Sequence, residues 1–410
     1  MENPKIRFKG FTKDWEQRKL SDVLDIVTKR NGEKYGKEEV LSVSDEYGCI
    51  NQIKFQGRSF AGEDISNYKI VDTGDIIYTR SPLKSKPYGI IKVVGDEIGI
   101  VSPLYIVNKV KEGNNSQFIY RVFDSPEKTN KYLSPLVRKG AKNTMNISND
   151  EWLSGKIDVA PSYEEQYQIG LYFDHLDNLI TLHQRKCEQT KNLKKYMLQK
   201  MFPQNGAKVP EIRFNGFTHD WEQRKLGDDL VSIHTGTNLL GSITNTGMPL
   251  IKMGNIQRGY FDTSKVEFLA ENEQPDKADI VNYGDFFFNT RNTLELVGKG
   301  ATWMKNSGEY AFNSNIARFE LRNLDTIFFN YLYNTDYMTK QIHARAMGTT
   351  SVAAIYPRTL DSVEYLAPCM KEQQKIGAYF KQLDHLITLH QRQCDELKKM
   401  KKYMLQNMFI

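Results

Sequence analysis

Cysteine is scarce in this sequence of 410 residues, and long apolar runs are missing. The four cysteines, Cys49, Cys187, Cys369 and Cys394, have the spacing of neither a disulfide framework nor a zinc ribbon. In a reducing cytosol such cysteines stay as thiols. No apolar run is long enough to cross a bilayer, and the opening segment MENPKIRFKG has no signal-peptide core. We therefore expect a cytoplasmic protein without disulfide bonds.

Familiar catalytic signatures are missing as well. The pairs Gly36-Lys37 and Gly298-Lys299 lack the upstream glycine and the following Ser or Thr of a P-loop. The sequence has no dinucleotide-binding G-x-G-x-x-G, no H-E-x-x-H zinc motif and no G-x-S-x-G nucleophile motif. A catalytic site assembled from scattered residues would leave no such signature.

The charge balance leans slightly to the basic side. The chain has 56 Lys and Arg against 50 Asp and Glu, a net charge of +6, and 40% apolar residues. This apolar share is enough for real cores, and the length predicts two or three domains. A mild basic excess is compatible with nucleic-acid binding, but it is equally typical of an ordinary solvated surface.

One stretch of forty residues occurs twice in the chain. The segments 163–202 and 370–409 are identical at 25 of 40 positions. In each copy, apolar-leaning residues recur at steps of three and four, as at Ile169, Phe173 and Leu176. Such spacing predicts one long helix per copy, whose stripe is buried only against another helix. The nearest available partner for each copy is the other copy.

The two predicted helices begin with related signals. Pro161 and Ser162 precede Glu165, which predicts a capping box in which the Ser162 hydroxyl and the Glu165 carboxylate each satisfy a backbone N–H group. The second copy keeps the glutamate, as Glu372, but has Cys369 in place of the serine.

A second repeat precedes each half of the chain. The segments 4–22 and 210–228 share 15 of 19 residues. The join between the halves, PQNGAKVP at 203–210, carries a proline at each end and Asn-Gly inside, which predicts a short linker or turn. The chain is therefore two half-chains of nearly equal length.

The stretches between the repeats differ from each other and are expected to be mainly β. Runs rich in β-branched and aromatic residues, punctuated by Gly and Pro, predict strands. These runs are DIIYT at 75–79, YGIIKVV at 88–94, IGIVSPLYIV at 98–107, DFFFNT at 285–290 and IARFEL at 316–321. Short matching fragments, such as those ending in Arg80 and Arg291, predict that the two stretches share a fold while their surfaces differ.

A Cys/His pattern lies near the middle of both predicted helices. His183 and Cys187 are four residues apart on one face, and His390 and Cys394 repeat the spacing. If the helices run antiparallel, the four side chains could meet and bind zinc. The alternative, which we favour, is that they fill a narrow helix–helix interface, because no loop is present to shape a tetrahedral site.

The repeated motifs resemble those of a known family. The helix openings have the pattern P-x-x-x-E-Q-x-x-I, at 161–169 and 368–376, and the lead-ins have F-x-G-F-x-x-x-W-E-x-R-K-L, starting at Phe8 and Phe214. Together with the two-fold repeat, they resemble the specificity subunits of type I restriction-modification systems, over the whole chain.

The resemblance implies an α+β fold with two β-rich target-recognition domains. These would lie at 1–160 and 211–368, and the spacer helices at 161–203 and 369–410 would pair as an antiparallel coiled coil, with a linker at 204–210. Each domain would read half of a bipartite, asymmetric DNA target. Half-sites on one face of B-DNA lie about 34–36 Å apart, or a multiple of this, so a rigid spacer suits the task.

The resemblance also implies partners. Two methyltransferase subunits would dock on the helices, and restriction and motor subunits would complete the complex. S-adenosylmethionine, ATP and Mg²⁺ would belong to those partners and none to this chain, which would not be an enzyme. Two other hypotheses stay open: a self-contained DNA nuclease or methyltransferase with unfamiliar motifs, and a coiled-coil interaction protein without a DNA role.

Candidate DNA-contacting residues are polar side chains in loops that follow predicted strands. Arg can bind guanine and Asn adenine, while Lys and Thr more often hold phosphate. For any single residue, an exposed or capping role is about as probable. The candidates are Arg80, Lys84, Lys86, Arg138, Lys139, Lys142, Asn143 and Thr144 in the first half, and Arg291, Asn292, Arg345, Thr349, Thr350 and Ser351 in the second.

Trp15 and Trp221 belong to the repeated lead-ins. A residue common to both halves cannot distinguish two half-sites, so we expect these tryptophans to pack each recognition region against the helices. The exposed aromatic residues Tyr196 and Tyr403, one on each helix, either face a protein partner or close the ends of the helical pair.

Overall fold

The structure, a computed structural model, describes residues 3–84, 86–139, 145–204, 206–349 and 352–410. Two helices of 38 residues each occupy the repeated stretches, which confirms the prediction of one long helix per copy. By compactness the chain divides into unit 1, Met1–Gln184 with Gln391–Ile410, and unit 2, Arg185–His390. Each unit contains part of both long helices, so this division does not test the predicted domain boundaries.

Unit 1 combines short strands with short helices and the first part of a long helix. Its helices are α1 (Leu20–Val23), α2 (Gln52–Gln56), α3 (Ser116–Val122), α4 (Pro126–Leu133), α5 (Asn149–Ser154) and the long α6 (Tyr163–Lys200), which continues into unit 2. Its strands are β1 (Glu16–Lys19), β2 (Leu24–Ile26), β3 (Leu41–Ser44), β4 (Gly48–Asn51), β5 (Lys69–Val71), β6 (Ile76–Tyr78), β7 (Ile91–Val93), β8 (Gly99–Val101), β9 (Ile106–Val110), β10 (Arg138–Lys139), β11 (Met145–Asn146) and β12 (Lys156–Val159). A 3₁₀ turn covers Lys37–Glu39.

The centre of unit 1 is an antiparallel sheet in the order β2-β9-β6-β7. Successive side chains of a strand point to opposite faces, and both faces of β6 are covered. Ile76 and Tyr78 belong to the cluster that contains Trp15 and α6 residues, while Ile77 packs with Val71 on the other side. Because both of its faces are buried, the sequence of this strand is an unbroken apolar run.

Unit 2 repeats this plan with its own elements. Its helices are α7 (Leu226–Asp229), α8 (Thr326–Tyr333), α9 (Asp336–His343) and the long α10 (Met370–Asn407), which continues into unit 1. Its strands are β13 (Glu222–Lys225), β14 (Leu230–Thr235), β15 (Pro249–Ile251), β16 (Glu267–Phe268), β17 (Phe286–Asn289), β18 (Arg291–Asn292), β19 (Gly300–Thr302), β20 (Ala311–Phe312), β21 (Ile316–Leu321), β22 (Met347–Gly348), β23 (Ala353–Ala354) and β24 (Glu364–Ala367). Further 3₁₀ turns cover Met253–Asn255, Lys277–Asp279 and Pro357–Thr359.

The central sheet of unit 2 has the order β14-β21-β17-β19, again antiparallel. Phe286 and Phe288 of β17 point into the cluster that contains Trp221 and Phe380, whereas Phe287 joins Trp303 on the opposite face. The predicted strands DFFFNT and IARFEL are therefore confirmed as β17 and β21, and both units place their most apolar strand in the middle of the sheet.

Inside unit 1, the start of α6 contacts the end of α10. The Phe173 and Phe409 rings are 6.0 Å apart, and Lys401 Nζ lies 2.8 Å from Asp177 Oδ1. A higher residue number in the first repeat is paired with a lower residue number in the second, so these two segments run in opposite directions. Ile6 N also donates to Asn407 O at 3.0 Å, which ties the lead-in to the last turn of α10.

Inside unit 2, the end of α6 contacts the start of α10 in the same way. Lys194 Nζ is 2.5 Å from Asp384 Oδ1, and the Phe202 and Phe380 rings are 5.9 Å apart. The lead-in of the second half is tied by Ile212 N, which donates to Lys200 O at 2.9 Å. The segments within this unit therefore also run in opposite directions.

The capping box predicted at the start of α6 is wrong. The Glu165 carboxylate is fully buried and accepts from Arg7 Nε at 2.5 Å and from Trp15 Nε1 at 3.2 Å. Unit 2 has the equivalent pair between Glu372 and Arg213 at 2.7 Å. A carboxylate removed from water needs a charged partner, and an arginine 158 residues away in the sequence outcompetes the helix terminus.

The two units differ in whether the repeated tryptophan donates a hydrogen bond to the buried glutamate. Trp15 and Trp221 are both about 2% exposed, so the predicted packing role is confirmed. The Trp15 indole donates to the buried glutamate, whereas Trp221 Nε1 has no partner among the described residues.

The glutamine and glycine of the repeated helix openings also have structural roles. Gln166 Nε2 donates to Ala160 O at 2.8 Å, and its Oε1 accepts from Asn115 N at 2.8 Å. Gln373 makes the matching bonds to Pro368 O and Asp325 N, both at 2.9 Å. A Cβ atom at Gly170 would lie 2.9 Å from Asn115 Oδ1, so only glycine lets the recognition region approach the helix this closely.

A buried ion network joins α3 to both long helices in unit 1. Arg121, with its side chain 3% exposed, binds Asp124 at 2.8 Å and Asp174 and Asp177 at 2.6 Å each. Lys401 adds contacts to Asp124 at 2.7 Å and to Asp177 at 2.8 Å. Burial disfavours the charge of Arg121, but the neighbouring carboxylates outweigh burial and raise its pKa.

Unit 2 has a smaller polar contact at the matching place. Phe118 of α3 and Phe328 of α8 both pack on their unit's repeated tryptophan, so Tyr331 occupies the position of Arg121. Its hydroxyl donates to Asp384 Oδ2 at 2.9 Å, and Lys194 Nζ lies 5.3 Å from its ring centroid. Burial, followed by the Asp384 charge, raises the pKa of Tyr331.

Among the described residues, no helix is long and apolar enough to span a membrane.

Candidate nucleic-acid interface

In unit 2, predicted DNA-contacting residues meet just beyond the central strand β17. Arg291 and Asn292 form β18, which pairs with β23, and β23 pairs with β22. Arg291 lies opposite Ala354, and Gly348 lies opposite Ala353. The sheet therefore brings the Arg291 segment beside the hairpin formed by β22 and β23, although Ala346, just before the hairpin, comes 55 positions after Arg291 in the sequence.

The side chains of this small sheet differ in how far they are engaged. Arg291 is exposed, and no carboxylate of the described residues forms an ion pair with it. Asn292 Oδ1 accepts from Thr293 N at 2.8 Å. Thr349 Oγ1 accepts from Val352 N at 3.3 Å inside the hairpin, and Thr350 and Ser351 lie outside the described residues. Arg291 is thus the side chain best placed to reach a ligand here.

Arg345 supports the base of the hairpin. Its guanidinium donates to Thr359 O at 2.9 Å, to Gln341 O at 2.7 Å and to Ser362 O at 2.9 Å. A planar donor group surrounded by backbone carbonyls has few donors left for a base. The residue that the sequence nominated for DNA contact therefore holds the segments around the hairpin together.

Arg80 has a similar supporting position in unit 1. Its φ angle of 55° puts it in the left-handed region, which non-glycine residues seldom occupy. Its Nε donates to Leu104 O at 2.7 Å, and its Nη1 donates to Ile147 O at 3.3 Å. Since Ile147 follows the β10–β11 hairpin directly, Arg80 ties the end of the central sheet to that hairpin.

The other unit 1 candidates are partly paired. Lys84 is exposed, whereas Lys86 is half-buried and lies 2.5 Å from Asp45. Arg138 is 83% exposed and contacts Glu151 at 3.0 Å. Lys139 pairs with Met145 across the hairpin, and nothing is described of its side chain. Lys142, Asn143 and Thr144 lie outside the described residues.

Sequence reasoning missed a group of basic residues beside β18. Lys299 Nζ donates to Gln257 Oε1 at 2.8 Å, and Arg258 Nη2 donates to His343 Nε2 at 2.9 Å. These side chains come from positions 257 to 343 and follow no common spacing, so only the fold brings them together.

The Cys/His pattern of the long helices has no metal-binding geometry in the described residues. No group of three or more His, Cys, Asp or Glu side chains is arranged to hold a metal ion. Cys187 is buried, with its Sγ 3.8 Å from Ile387 O.

A family model for the type I restriction modification DNA specificity domain matches the chain twice, over residues 12–192 and 218–399. Together the matches cover most of the sequence, once per half. The chain belongs to the type I restriction modification DNA specificity family.

Individual relatives agree with this family. A chain assigned as the MjaX specificity subunit of a type I restriction enzyme, from Methanocaldococcus jannaschii, is 23% identical over 95% of this chain and 91% of its own length. The MjaVIII specificity subunit of the same organism is 25% identical over 59% of this chain and 58% of its own. The S subunit from M. genitalium has the same fold, with a TM-score of 0.61 at 12% identity, over 100% of this chain and 99% of that one.

As a member of the specificity family, the chain carries two DNA specificity domains of mixed helix and strand content. Each matched segment includes one central sheet, one hairpin beyond it and most of one long helix. The resemblance stated from the repeated motifs is therefore confirmed.

Proposed function

We propose that this chain is the specificity subunit of a type I restriction-modification complex. In this proposal, recognition regions 1–160 and 211–368 each read one half of a bipartite, asymmetric DNA target. The helices at 161–203 and 369–410 pair as an antiparallel coiled coil, and their length sets the gap between the half-sites. Arg291 and the hairpins beside the two central sheets would contact the DNA.

The observation that carries the proposal is the opposite direction of the helix segments inside each unit. In unit 1 the contacts join 173 to 409 and 177 to 401, and in unit 2 they join 194 to 384 and 202 to 380. Within each unit the paired segments therefore run in opposite directions, as an antiparallel coiled coil requires, and a paired rod is stiffer than a single chain.

The proposal gives chemistry to other subunits. Two methyltransferase subunits would dock on equivalent surfaces of the paired helices, because an internal repeat presents the same residues twice. Exposed side chains that occur in both copies, Tyr196 and Tyr403, suit such docking. Restriction and motor subunits would complete the assembly. S-adenosylmethionine, ATP and Mg²⁺ would bind to these partners, and this chain would be non-catalytic.

The test lengthens the rod. Seven residues, one heptad or about two helical turns, are inserted after Arg185 in α6 and after Arg392 in α10, which are matching positions of the repeat. Each helix gains about 10.5 Å at ~1.5 Å per residue. At about 3.4 Å per base pair, we expect the spacer between unchanged half-sites to grow by about three base pairs. Sequencing-based methylation mapping, in cells that carry the complete system, reads both half-sites and the spacer.

A matched control inserts the same seven residues into the linker at 204–210. Since the linker lies outside both helices, the spacer should keep its length. If the helix insertion left methylation active with an unchanged spacer, the helices would not set the gap. Cleavage or methylation of DNA by the isolated chain would instead favour the self-contained enzyme.

A further inference from the structure

In unit 2, a series of contacts begins at the end of β17 and leads back to Arg291, just beyond that strand. Asn289 N donates to Lys299 O at 2.8 Å, which places Lys299 beside the end of the strand. The Lys299 side chain then reaches Gln257, and the next residue, Arg258, donates to His343 at the end of α9. A short turn leads from α9 to β22, and the sheet β22-β23-β18 returns to Arg291.

Tight packing links these parts. A Cβ atom at Gly298 would lie 2.7 Å from Ile342 Cγ2 and 3.0 Å from Ile355 Cδ1, so the end of α9 and the segment after β23 both press on this turn. Lys299 and His343 are the chain neighbours of Gly298 and Ile342. The basic strip is defined as Arg258, Lys299 and His343, and the His343 carbonyl accepts from Ala346 N at 3.0 Å, directly before the hairpin that carries Thr349.

Carboxylates do not neutralise this strip. Among the described residues, Arg258, Lys299 and Arg291 form no ion pair with Asp or Glu, and the nearest acidic residue in the β18–β19 loop, Glu295, is exposed. Unit 1 differs, because Lys86 and Lys92 share Asp45 and Arg138 contacts Glu151. An uncompensated cluster of cations at a surface attracts anions.

The Arg258–His343 contact also favours an anionic ligand. A guanidinium can only donate, so the imidazole Nε2 must accept and the ring must be neutral. Burial, followed by the charge of Arg258, lowers the pKa of His343. An arginine held by a neutral ring keeps its full charge and has further N–H groups to offer, whereas an arginine in an ion pair has its charge compensated.

We propose that the basic strip binds phosphodiester oxygens of double-stranded DNA and thereby positions the hairpin of unit 2 over its half-site. This inference depends on the proposed function, because it names the part of the DNA that the strip takes. Phosphate contacts fix the register of a protein on the duplex without reading its sequence. Arg258 and Lys299 would hold phosphates, and His343 would position Arg258.

The test measures DNA binding by the full-length chain over a range of salt concentrations. The variants are Arg258→Gln and Lys299→Gln, and the control is Lys305→Gln, an exposed lysine beyond the other end of β19. Lys305 lies six residues after Lys299, with β19 between them, and fully extended chain of that length spans at most about 20 Å. Fluorescence anisotropy is recorded with a duplex that carries the methylation-mapped target and with an unrelated duplex.

Each variant of the strip should weaken binding about three- to tenfold on both duplexes, and should reduce the slope of log affinity against log salt by about 0.9. The control should leave affinity and slope unchanged. Arg258→Lys, which keeps the charge, should retain the slope. Thermal melts followed by circular dichroism should show that all variants are folded.

The outcomes separate the inference from the proposed function. If the unaltered chain bound neither duplex, the proposed function itself would fail. If it bound while folded variants of the strip kept the full salt slope, the strip would not contact phosphate. A loss confined to the target duplex would mean base reading, and an Arg258→Lys variant as defective as Arg258→Gln would mean a structural role; either result overturns the inference.

Discussion

Replacing Arg121 with tyrosine tests how the recognition region of unit 1 is held against the long helices. Tyrosine is what unit 2 carries at this position. The guanidinium makes three contacts of 2.6 to 2.8 Å and is 3% exposed. Without it, Asp124 and Asp177 keep Lys401 as a cationic partner, and Asp174 loses the ion pair that the structure gives it.

The expected cost follows from burial. Removing one partner of a buried ion pair costs about 3–5 kcal/mol, because the remaining charges stay out of water. Asp124 is 8% exposed, but Asp174 and Asp177 are 31% and 38% exposed and can regain some hydration. We therefore expect the lower end, about 3 kcal/mol. At about 1.4 kcal/mol per tenfold change, this is roughly a 100-fold loss of protection against local opening.

The assay is hydrogen–deuterium exchange with mass spectrometry, read for peptides of α3 and the start of α6, with α8 and the start of α10 as internal references. Tyr331→Phe is the matched variant in unit 2. It removes one hydrogen bond to Asp384, but Asp384 keeps its ion pair with Lys194. The substitution should therefore lower the local stability by only about 1–1.5 kcal/mol. If Arg121→Tyr changed protection of α3 by less than about threefold, the ion network would not hold the recognition region on the long helices. The cost of about 3 kcal/mol expected from its burial would then be wrong.

Two further predictions concern buried carboxyl groups, and the first of them again compares the two units. Arg213→Ala should destabilise its unit by about 1.5–3 kcal/mol more than Arg7→Ala in hydrogen exchange, because the Trp15 indole still supports the glutamate in unit 1; equal effects would contradict this. Burial raises the pKa of Asp75 from 3.8 to about 6, so the folded chain binds this proton more tightly and stability falls as the pH rises from about 4 through 6. Asp75→Asn should remove about 1–2 kcal/mol of this fall in pH-dependent thermal melts, and an unchanged pH dependence would contradict the role of Asp75.

The long helices and central strands could be predicted because their signals are local. A stripe at steps of three and four fixed the helix limits to within about two residues of Tyr163–Lys200. Unbroken apolar runs located β6 and β17, since a strand buried on both faces must be apolar throughout. Two copies of each motif made the two-fold plan visible without any structure.

The candidate site was predicted less well because its contacts join distant residues. Strands of two residues, such as β18 and β22, leave no periodic pattern. Arg80 and Arg345 follow strands and hairpins as a DNA-contacting residue would, yet neighbouring carbonyl groups engage their donors. The sequence pattern predicted a local capping role for Glu165, because its partner in the structure, Arg7, lies 158 residues away. Sequence therefore nominated suitable side chains, and the fold decided which of them stay open to a ligand.

The repeated and the unrepeated residues have separate tasks in this chain. Residues identical in both halves, such as the buried arginine–glutamate pairs and Gln166 with Gln373, hold each recognition region on its helices. Residues that differ lie at the hairpins and the basic strip. Lys86 and Arg138 of unit 1 pair with carboxylates, whereas Arg258, Lys299 and Arg291 of unit 2 form no ion pair with the described acidic residues. A common frame can therefore carry unlike reading surfaces. Because the acidic partners of Lys86 and Arg138 offset part of the positive charge of unit 1, we expect the half-site bound by unit 2 to contribute the larger share of the salt-dependent binding energy.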